Sequence, residues 1–452
     1  MSCTERIPRR GGWRLIAPAL CAVLLAACGG GGGGGGTLST VASGTTTTST
    51  GTSTGTSSGS STSTTTAASA ANVAPIIVDS GPAVVAASTG AGTVNIPFVS
   101  VTVCSPTGTN CQTIDHVIVD TASVGLRLIA SAMTNTAQLP AMTNNSGNPY
   151  AECAQFASGY SWGSLKLANV SISGENAASL PIQIIGDTDA AFSSIPSSCT
   201  AAGAAQNTVA EFGGNGVLGI GVFKLDCGSA CVTAAVPGTY YTCSGTCSET
   251  MMPLAQQVAN PVTFFPVDNN GVVVELPAIA AGGASSVAGS LVFGIGTQSN
   301  NALGSAKVYG LSGETGDFTA VSVAGNSYPA SFLDSGSNFY FFDLSTLTSC
   351  AGQVYAGFYC PSTSSSNPLG TTTLTATFQG SNGATGTATV SIGNAATLFT
   401  ANPNGTAFND IGGTMDMAGS FDFGLPFFYG RNVFSAMEGA TTPGSTGPYV
   451  AF

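Results

Sequence analysis

Two short segments of the chain place an apolar stretch directly before an aspartate, a hydroxyl residue, a small residue and a serine. The first spans residues 117–123 and contains Asp120, and the second spans residues 331–337 and contains Asp334. One such segment means little in a chain so rich in serine and threonine, but here it occurs twice. Two carboxyl groups held face to face share one proton, because like charges at close range raise one pKa strongly. The pair predicts acid–base chemistry, with the ionised group as a base on water and the protonated group as an acid.

The composition favours chemistry that depends on carboxyl groups alone. Of the 452 residues only 7% are charged, with 9 Lys and Arg against 21 Asp and Glu and a formal net charge of −12. This balance excludes nucleic acid as a partner, because Lys and Arg at phosphates supply most of that affinity. The only histidine, His116, excludes sites built from several histidines and most histidine-based proton transfer. We therefore expect neither a metal nor a cofactor.

Strands are the elements expected to position these aspartates. Short runs of β-branched and aromatic residues recur from Val73 onward between clusters of Gly, Pro, Asn and Ser, with few helical stretches. Each aspartate segment is followed, further along the chain, by an apolar pair that ends at a glycine, Gly219 or Gly424. A glycine there lets one strand pass close to a neighbouring loop. The sequence thus predicts an all-β fold that contains one arrangement twice.

This order of segments resembles the pepsin-like aspartic proteases, two-lobed β proteins with one Asp-Thr/Ser-Gly-Ser/Thr loop in each lobe. The resemblance covers residues 73–452 and is strongest around the two aspartates. It extends to residues 291–294, where the family opens its second lobe, to residues 423–432 and to the closing strand at 449–452. It implies a bilobal, pepsin-like β-barrel architecture with a cleft between the lobes.

The resemblance implies that Asp120 and Asp334 are the catalytic pair of an endopeptidase that acts on a peptide or protein substrate. Thr121 and Ser335 would then bind the backbone of the opposite loop and fix the two carboxyl groups. Ser123 and Ser337 would form hydrogen bonds with the carboxylates. Gly336 stands at the glycine position of the family's loop, and all five residues are expected to support the pair.

The family's flap, a hairpin that covers the cleft, corresponds to residues 156–163. Phe156 stands at the family's tyrosine position, and Arg127 stands where a tryptophan often donates a hydrogen bond to that tyrosine. Tyr160 or Trp162 either replaces this pair on a differently folded flap or caps the hairpin. We expect these four side chains at the substrate cleft.

Two other functions compete with hydrolysis by the aspartates. Residues 159–163 match the Gly-x-Ser-x-Gly pattern of serine hydrolases, but those enzymes place the histidine after the serine, and His116 precedes it. The stronger alternative is a pepsin-like fold kept as a binding or envelope-scaffold module without hydrolysis. Ala122 favours this alternative, because it stands where the family usually has glycine and its methyl group crowds the loop.

The N-terminus resembles the signal of a bacterial lipoprotein. Residues 1–27 combine early arginines, an apolar run and the sequence Leu-Ala-Ala, and Cys28 follows as the residue to be lipidated. Residues 28–72 are rich in Gly, Ser and Thr and are expected to be a disordered linker. The lobes are expected at residues 73–262 and 263–452. Together with the composition, this signal also resembles a bacterial lipoprotein family known only as a domain of unknown function, and we expect a monomer in the cell envelope, anchored by its lipid to the outer membrane.

Ten cysteines remain after Cys28, and an even number in an exported chain predicts disulfides. Cys104 with Cys111, and Cys350 with Cys360, each bracket a short loop and suit local pairing. Four cysteines between residues 227 and 247 also match the spacing of a zinc knuckle, which an oxidising compartment disfavours. The spacing leaves the connectivity open. The ten are Cys104, Cys111, Cys153, Cys199, Cys227, Cys231, Cys243, Cys247, Cys350 and Cys360.

Overall fold

A computed structural model describes residues 71–415 and 417–452. The predicted signal peptide at residues 1–27, the lipidation site Cys28 and all but the last two residues of the predicted linker lie outside the described residues. Within the described residues, no helix is long and apolar enough to cross a membrane.

Strands are the main regular element of the fold, which confirms the all-β prediction. β-branched and aromatic residues dominate these strands, as their fit to a pleated surface leads us to expect. Strands up to residue 249 are β1 (Val73–Val78), β2 (Pro97–Cys104), β3 (Gln112–Asp120), β4 (Val124–Ile129), β5 (Tyr150–Phe156), β6 (Gly159–Ile172), β7 (Glu175–Ile185), β8 (Gly216–Ile220), β9 (Tyr240–Cys243) and β10 (Cys247–Glu249).

The second half of the chain adds shorter strands. They are β11 (Gly271–Leu276), β12 (Val287–Phe293), β13 (Val308–Gly310), β14 (Ala320–Val323), β15 (Asn326–Ser327), β16 (Ala330–Leu333), β17 (Tyr340–Phe342), β18 (Thr372–Gln379), β19 (Thr385–Ile392), β20 (Gly412–Gly413), β21 (Ser420–Phe423), β22 (Arg431–Ala436) and β23 (Tyr449–Ala451).

One sheet of 15 strands runs through both halves of the chain, in the order β10-β9-β5-β6-β7-β4-β8-β3-β2-β1-β12-β11-β22-β23-β13. Strand β1 joins the halves, since it pairs with β2 on one side and, from Val73 opposite Val292 to Val78 opposite Val287, with β12 on the other. Two four-stranded sheets complete the second half, in the orders β15-β14-β18-β19 and β16-β21-β17-β20. The predicted division between residues 262 and 263 falls within a short 3-10 helix, Pro261–Phe264, and stays a prediction.

The helices are short and lie between strands. Thr208 caps the helix Val209–Phe212, because its hydroxyl accepts a hydrogen bond from the backbone N–H of Glu211 while the Glu211 carboxylate accepts from the Thr208 N–H. Asn394 caps the helix Ala395–Ala401 through its side-chain oxygen, which accepts from the N–H of Thr397. The helices are α1 (Ala83–Thr89), α2 (Ser197–Thr200), α3 (Val209–Phe212), α4 (Ser229–Thr233) and α5 (Ala395–Ala401).

All ten cysteines after Cys28 form disulfides, as predicted from their even number. The two local pairs, Cys104–Cys111 and Cys350–Cys360, are confirmed. Cys153–Cys199 joins β5 to α2. The four cysteines that match a zinc-knuckle spacing instead form two disulfides, Cys227–Cys231 and Cys243–Cys247.

Candidate active site

The first aspartate loop is held by three adjacent strands. Asp120 is the last residue of β3, and three residues separate it from the start of β4 at Val124. Strand β8 lies between these two strands, parallel to β3, with Asp120 opposite Gly219, and antiparallel to β4, with Val124 opposite Ile220. The aspartate therefore lies at the end of a central, fully paired strand.

The second aspartate loop repeats this arrangement. Strand β16 ends at Leu333, directly before Asp334, and β17 begins at Tyr340. Strand β21 lies between them, parallel to β16, with Leu333 opposite Phe423, and antiparallel to β17, with Tyr340 opposite Phe423. The duplication predicted from the two sequence segments is thus a duplication in three dimensions.

Glycine is required where each middle strand passes the loop. A Cβ at Gly219 would lie 2.7 Å from the backbone nitrogen of Val124, and one at Gly424 would overlap the carbonyl oxygen of Phe339. Any side chain at these positions would push the middle strand away from the aspartate. This close approach is the role that the sequence predicted for both glycines.

The two loops bind each other through reciprocal hydrogen bonds. The Thr121 hydroxyl donates to the carbonyl oxygen of Leu333 (3.3 Å) and accepts from the N–H of Ser335 (3.0 Å). In return, the Ser335 hydroxyl donates to the carbonyl oxygen of Val119 (2.7 Å) and accepts from the N–H of Thr121 (3.2 Å). Thr121 and Ser335 are buried, so these bonds form away from solvent and fix one loop against the other.

Each aspartate is oriented by two backbone N–H groups of its own loop. Asp120 Oδ1 accepts from Ala122 at 2.8 Å and from Ser123 at 3.1 Å. Asp334 Oδ1 accepts from the two corresponding positions, Gly336 and Ser337, at 2.7 and 3.1 Å. Equivalent backbone groups therefore orient the two carboxyl groups.

The two carboxyl groups meet where the loops touch. Asp334 is hydrogen-bonded to Asp120, and a Cβ at Gly336 would lie only 2.8 Å from Cγ of Asp120. Burial, followed by the charges of Asp120 and then Asp422, holds the pKa of Asp334 well above its usual range. Asp120 is 8% exposed and Asp334 is partly exposed, so water can reach the pair. The arrangement can hold one proton between two carboxyl groups and activate a water molecule.

The two loop serines differ in what their hydroxyl groups contact. The Ser337 hydroxyl contacts Oδ2 of Asp334 at 3.0 Å, as predicted. The Ser123 hydroxyl is buried and, within the described part of the chain, has no hydrogen-bond partner. A Cβ at Gly219 would lie 2.8 Å from Ser123 Oγ, so the hydroxyl points toward the middle strand. Ser123 therefore supports Asp120 through its backbone N–H alone.

Asp422 is a residue of the site that the sequence reasoning missed. It lies in β21 at 4% exposure, and the Ser337 hydroxyl lies 2.6 Å from its Oδ2. The signal was present, because a single acidic residue interrupts the apolar run Phe421-Asp422-Phe423. A carboxyl group in such a run is buried and needs polar partners.

Ala122 does not distort its loop as the sequence suggested. Its N–H binds Asp120 as the N–H of Gly336 binds Asp334, with closely similar distances. Ala122 is partly exposed, which leaves room for the methyl group at the surface of the loop.

Arg127 lies in a buried ion cluster and not at the cleft. Its guanidinium binds Glu152 through two nitrogens, at 2.5 and 3.2 Å, and Asp226 at 3.3 Å. The Tyr240 hydroxyl donates to Asp226 at 2.6 Å. Burial would lower the pKa of Arg127, but the charges of Glu152 and Asp226 outweigh burial and raise it. Burial, then the charge of Glu152, raises the pKa of Asp226 well above its usual range. The polar residues Glu152 and Asp226 within apolar runs were the sequence signal for this cluster.

The other predicted flap residues pack inside the first half of the chain. The Trp162 indole donates to the carbonyl oxygen of Phe192 at 2.9 Å and lies at 3% exposure beside the Cys153–Cys199 disulfide. Tyr160 is 5% exposed in the same cluster. Phe156 packs edge-on against Phe212, with ring centroids 5.8 Å apart. The burial of Arg127, Tyr160 and Trp162 corrects the prediction that these three side chains line the cleft. Phe156 is half-buried, and its place at the cleft stays a prediction.

No group of three His, Cys, Asp or Glu side chains within residues 71–415 and 417–452 is arranged to hold a metal ion. His116 lies near the surface, 3.2 Å from Asp115 and 3.5 Å from Asp79, away from the aspartate pair.

Residues 68–452 of the chain match the family described as "Protein of unknown function (DUF3443)". The chain belongs to this family. The two aspartate loops and their middle strands give this DUF3443 protein a pepsin-like, aspartic-protease-like scaffold, as the sequence predicted.

Among solved structures, the aspartic proteinase from Irpex lacteus is similar, at 16% sequence identity and a TM-score of 0.48. The alignment covers 84% of this chain and 96% of that chain. No curated protein matches the sequence.

Proposed function

We propose that this protein is an aspartic endopeptidase that uses Asp120 and Asp334 to activate water on peptide bonds. The observation that carries the proposal is the hydrogen-bonded pair of carboxyl groups, held by reciprocal bonds between two equivalent loops. A scaffold that only bound ligands would gain nothing from keeping both aspartates in contact, because two buried carboxyl groups side by side are costly to ionise.

The proposed reaction needs one proton on the pair. Asp334 holds it, because its pKa is raised, and Asp120 acts as the base. Asp120 takes a proton from water as the water oxygen attacks the peptide carbonyl carbon, and Asp334 gives its proton to the carbonyl oxygen. The proton on Asp120 then passes to the leaving amine while Asp334 regains its proton from the collapsing diol. The two carboxyl groups end as they began.

The test is a peptidase assay with a diverse peptide library, read by mass spectrometry from about pH 3 to 7, the range in which such a pair holds one proton. We expect cleavage at acidic pH that a statine-type transition-state analogue inhibits. Asp120→Asn and Asp334→Asn should each abolish cleavage while circular dichroism shows an unchanged fold. Asp410→Asn, a buried carboxyl substitution outside the pair, is the matched control. If the wild-type protein cleaves no peptide, the proposal is wrong.

We further propose that the protein acts in the cell envelope as a monomer anchored through a lipid on Cys28. One support is the lipoprotein-like signal that ends in Leu-Ala-Ala before Cys28. A second is the set of five disulfides in the described part of the chain, which suit an oxidising compartment. Expression with a labelled fatty acid tests this: label should enter the wild-type protein and not Cys28→Ala, and fractionation should place the labelled protein in the outer membrane.

A binding module without hydrolysis is the alternative function. The burial of Tyr160 and Trp162 inside the first half favours it, because a protease flap needs side chains that reach the substrate. Binding of the transition-state analogue without any peptide cleavage would support this alternative.

A further inference from the structure

Ser337 connects Asp334 to a second carboxyl group that lies behind the catalytic pair. Its Oγ is 3.0 Å from Oδ2 of Asp334 and 2.6 Å from Oδ2 of Asp422. Asp422 is 4% exposed, so substrate and bulk water meet Asp334 but not Asp422. Oδ2 of Asp334, Oγ of Ser337 and Oδ2 of Asp422 thus form a continuous hydrogen-bonded path into the core.

A serine hydroxyl carries one proton and can donate it to only one of two carboxyl groups at a time. The shorter contact is the one to Asp422. When the hydroxyl donates to Asp422, its oxygen can only accept from Asp334, and it does so only if Oδ2 of Asp334 carries the proton. This arrangement satisfies all three groups when Asp422 is ionised and Asp334 is protonated.

On the neighbouring strands, the register partners of Asp422 are Phe332 of β16 and Phe341 of β17, both uncharged. The Ser337 hydroxyl connects Asp422 to Asp334 and, through Asp334, to Asp120.

We propose that Asp422 is a positioning residue that keeps the shared proton of the pair on Asp334, acting through the hydroxyl group of Ser337. The inference rests on the proposed function, because it assigns the acid of that reaction to Asp334 and the base to Asp120. Asp422 touches neither substrate nor the attacking water. It sets the pH up to which the pair remains singly protonated.

The charge of Asp422 also favours the protonated form of Asp334, since a nearby negative charge raises a carboxyl pKa. Replacing Asp422 by asparagine keeps the shape and removes the charge. The Ser337 hydroxyl then no longer has an ionised acceptor and is free to donate to Asp334, which stabilises the ionised form. Both effects lower the pKa of Asp334.

The first experiment is the pH profile of kcat/KM for the wild-type protein, Asp422→Asn and Asp410→Asn. In Asp422→Asn the high-pH limb should move toward acid by about one pH unit, the size of shift that a nearby charge produces. Asp410→Asn removes another buried carboxyl group of the same half and should leave the limb in place. The inference is overturned if the high-pH limb does not move in Asp422→Asn, or if it moves by the same amount in Asp410→Asn.

Carbon-13 NMR of the aspartate carboxyl groups in the full folded protein provides a readout that needs no activity. The titration of Asp334 should move to lower pH in Asp422→Asn and in Ser337→Ala, and Ser337→Thr, which keeps the hydroxyl, should restore it. If the protein cleaves no peptide but these shifts occur, the proposed function fails and the role of Asp422 stands. If cleavage occurs but the titration of Asp334 is the same in all variants, the role of Asp422 is wrong.

Discussion

The two aspartate loops have the same backbone and different surroundings. Asp120 and Asp334 each accept two backbone hydrogen bonds of nearly equal length from the same two positions of their loops. The side chains around them differ: the small residue is Ala122 in the first loop and Gly336 in the second. The Ser123 hydroxyl of the first loop has no hydrogen-bond partner among the described residues. The equivalent Ser337 hydroxyl of the second loop contacts Asp334 and the buried carboxyl group of Asp422.

Backbone geometry and proton placement are separate properties of this site. Repetition of strand, loop and middle strand brings two equivalent carboxyl groups together. Such a pair shares one proton because both groups cannot ionise at close range, and the surroundings of each group determine which one carries the proton. A clear difference between the two halves is the position in the middle strand two residues before the glycine. That position is Val217 in the first half and Asp422 in the second.

The largest expected effect is the loss of kcat/KM when the small residue of the second loop, Gly336, is replaced. Gly336→Ala should lower kcat/KM by about 10³-fold, a typical loss for a misplaced general base, because its Cβ would lie 2.8 Å from Cγ of Asp120. Ala122→Gly, the reverse change at the equivalent position, should keep or raise the rate. Equal losses in both variants would show that the loops are not distinguished by this residue.

The second prediction concerns the effect on stability of Asp410, a buried carboxyl group outside the pair. Burial raises the pKa of Asp410 from 3.8 to about 6. The folded protein therefore holds this proton up to about pH 6, whereas the unfolded chain releases it near 3.8, and stability falls as pH rises through this window. The difference corresponds to about 3 kcal/mol. Urea unfolding at several pH values should show that Asp410→Asn loses less stability than the wild type between pH 4 and 6, and identical slopes would contradict this.

The reciprocal hydrogen bonds between the loops provide the third prediction. Thr121→Val and Ser335→Ala should each lower the free energy of unfolding by about 2 kcal/mol, because each leaves buried backbone groups of the opposite loop unpaired. The double variant should lose less than the sum, since both changes break one network. Strict additivity in chemical denaturation would mean that the two loops are stabilised independently.

The smallest expected effect distinguishes the two loop serines. Ser337→Ala removes a hydroxyl with two contacts and should lower the free energy of unfolding by about 1 kcal/mol. Ser123→Ala removes a buried hydroxyl without a hydrogen-bond partner among the described residues and should be neutral or slightly stabilising. Differential scanning calorimetry of both variants checks the order, and a larger loss for Ser123→Ala would show that the Ser123 hydroxyl contributes more than the Ser337 hydroxyl.

The sequence was sufficient to predict the pair, because the pattern around Asp120 and Asp334 is local and repeated. Residues within three positions of each aspartate determine its backbone hydrogen bonds, and the bonds of Thr121 and Ser335 to the opposite loop follow from the repeated pattern. The all-β class followed from the periodicity of short apolar runs, and the two local disulfides from short loops.

The positions of several other side chains depend on contacts between distant segments, which the sequence does not reveal. The direction of the Ser123 hydroxyl follows from how closely Gly219 approaches. Arg127 was placed by alignment to a known flap, but its position is fixed by two carboxylates, Glu152 and Asp226, that come from distant segments. Trp162 shows the same limit, because its hydrogen bond to Phe192 is made across 30 residues.

The reciprocal bonds also determine when, during its own production, the protein acquires a complete site. A chain synthesised from its N-terminus presents Asp120 and Thr121 long before Leu333 and Ser335 exist. The second loop in turn needs its middle strand, Ser420–Phe423, which is made near the end of synthesis. Until that strand takes its place, Thr121 has no opposite loop to bind and Asp120 has no partner for the proton. The interlocked loops thus postpone the assembly of the carboxyl pair until almost the whole polypeptide has been made.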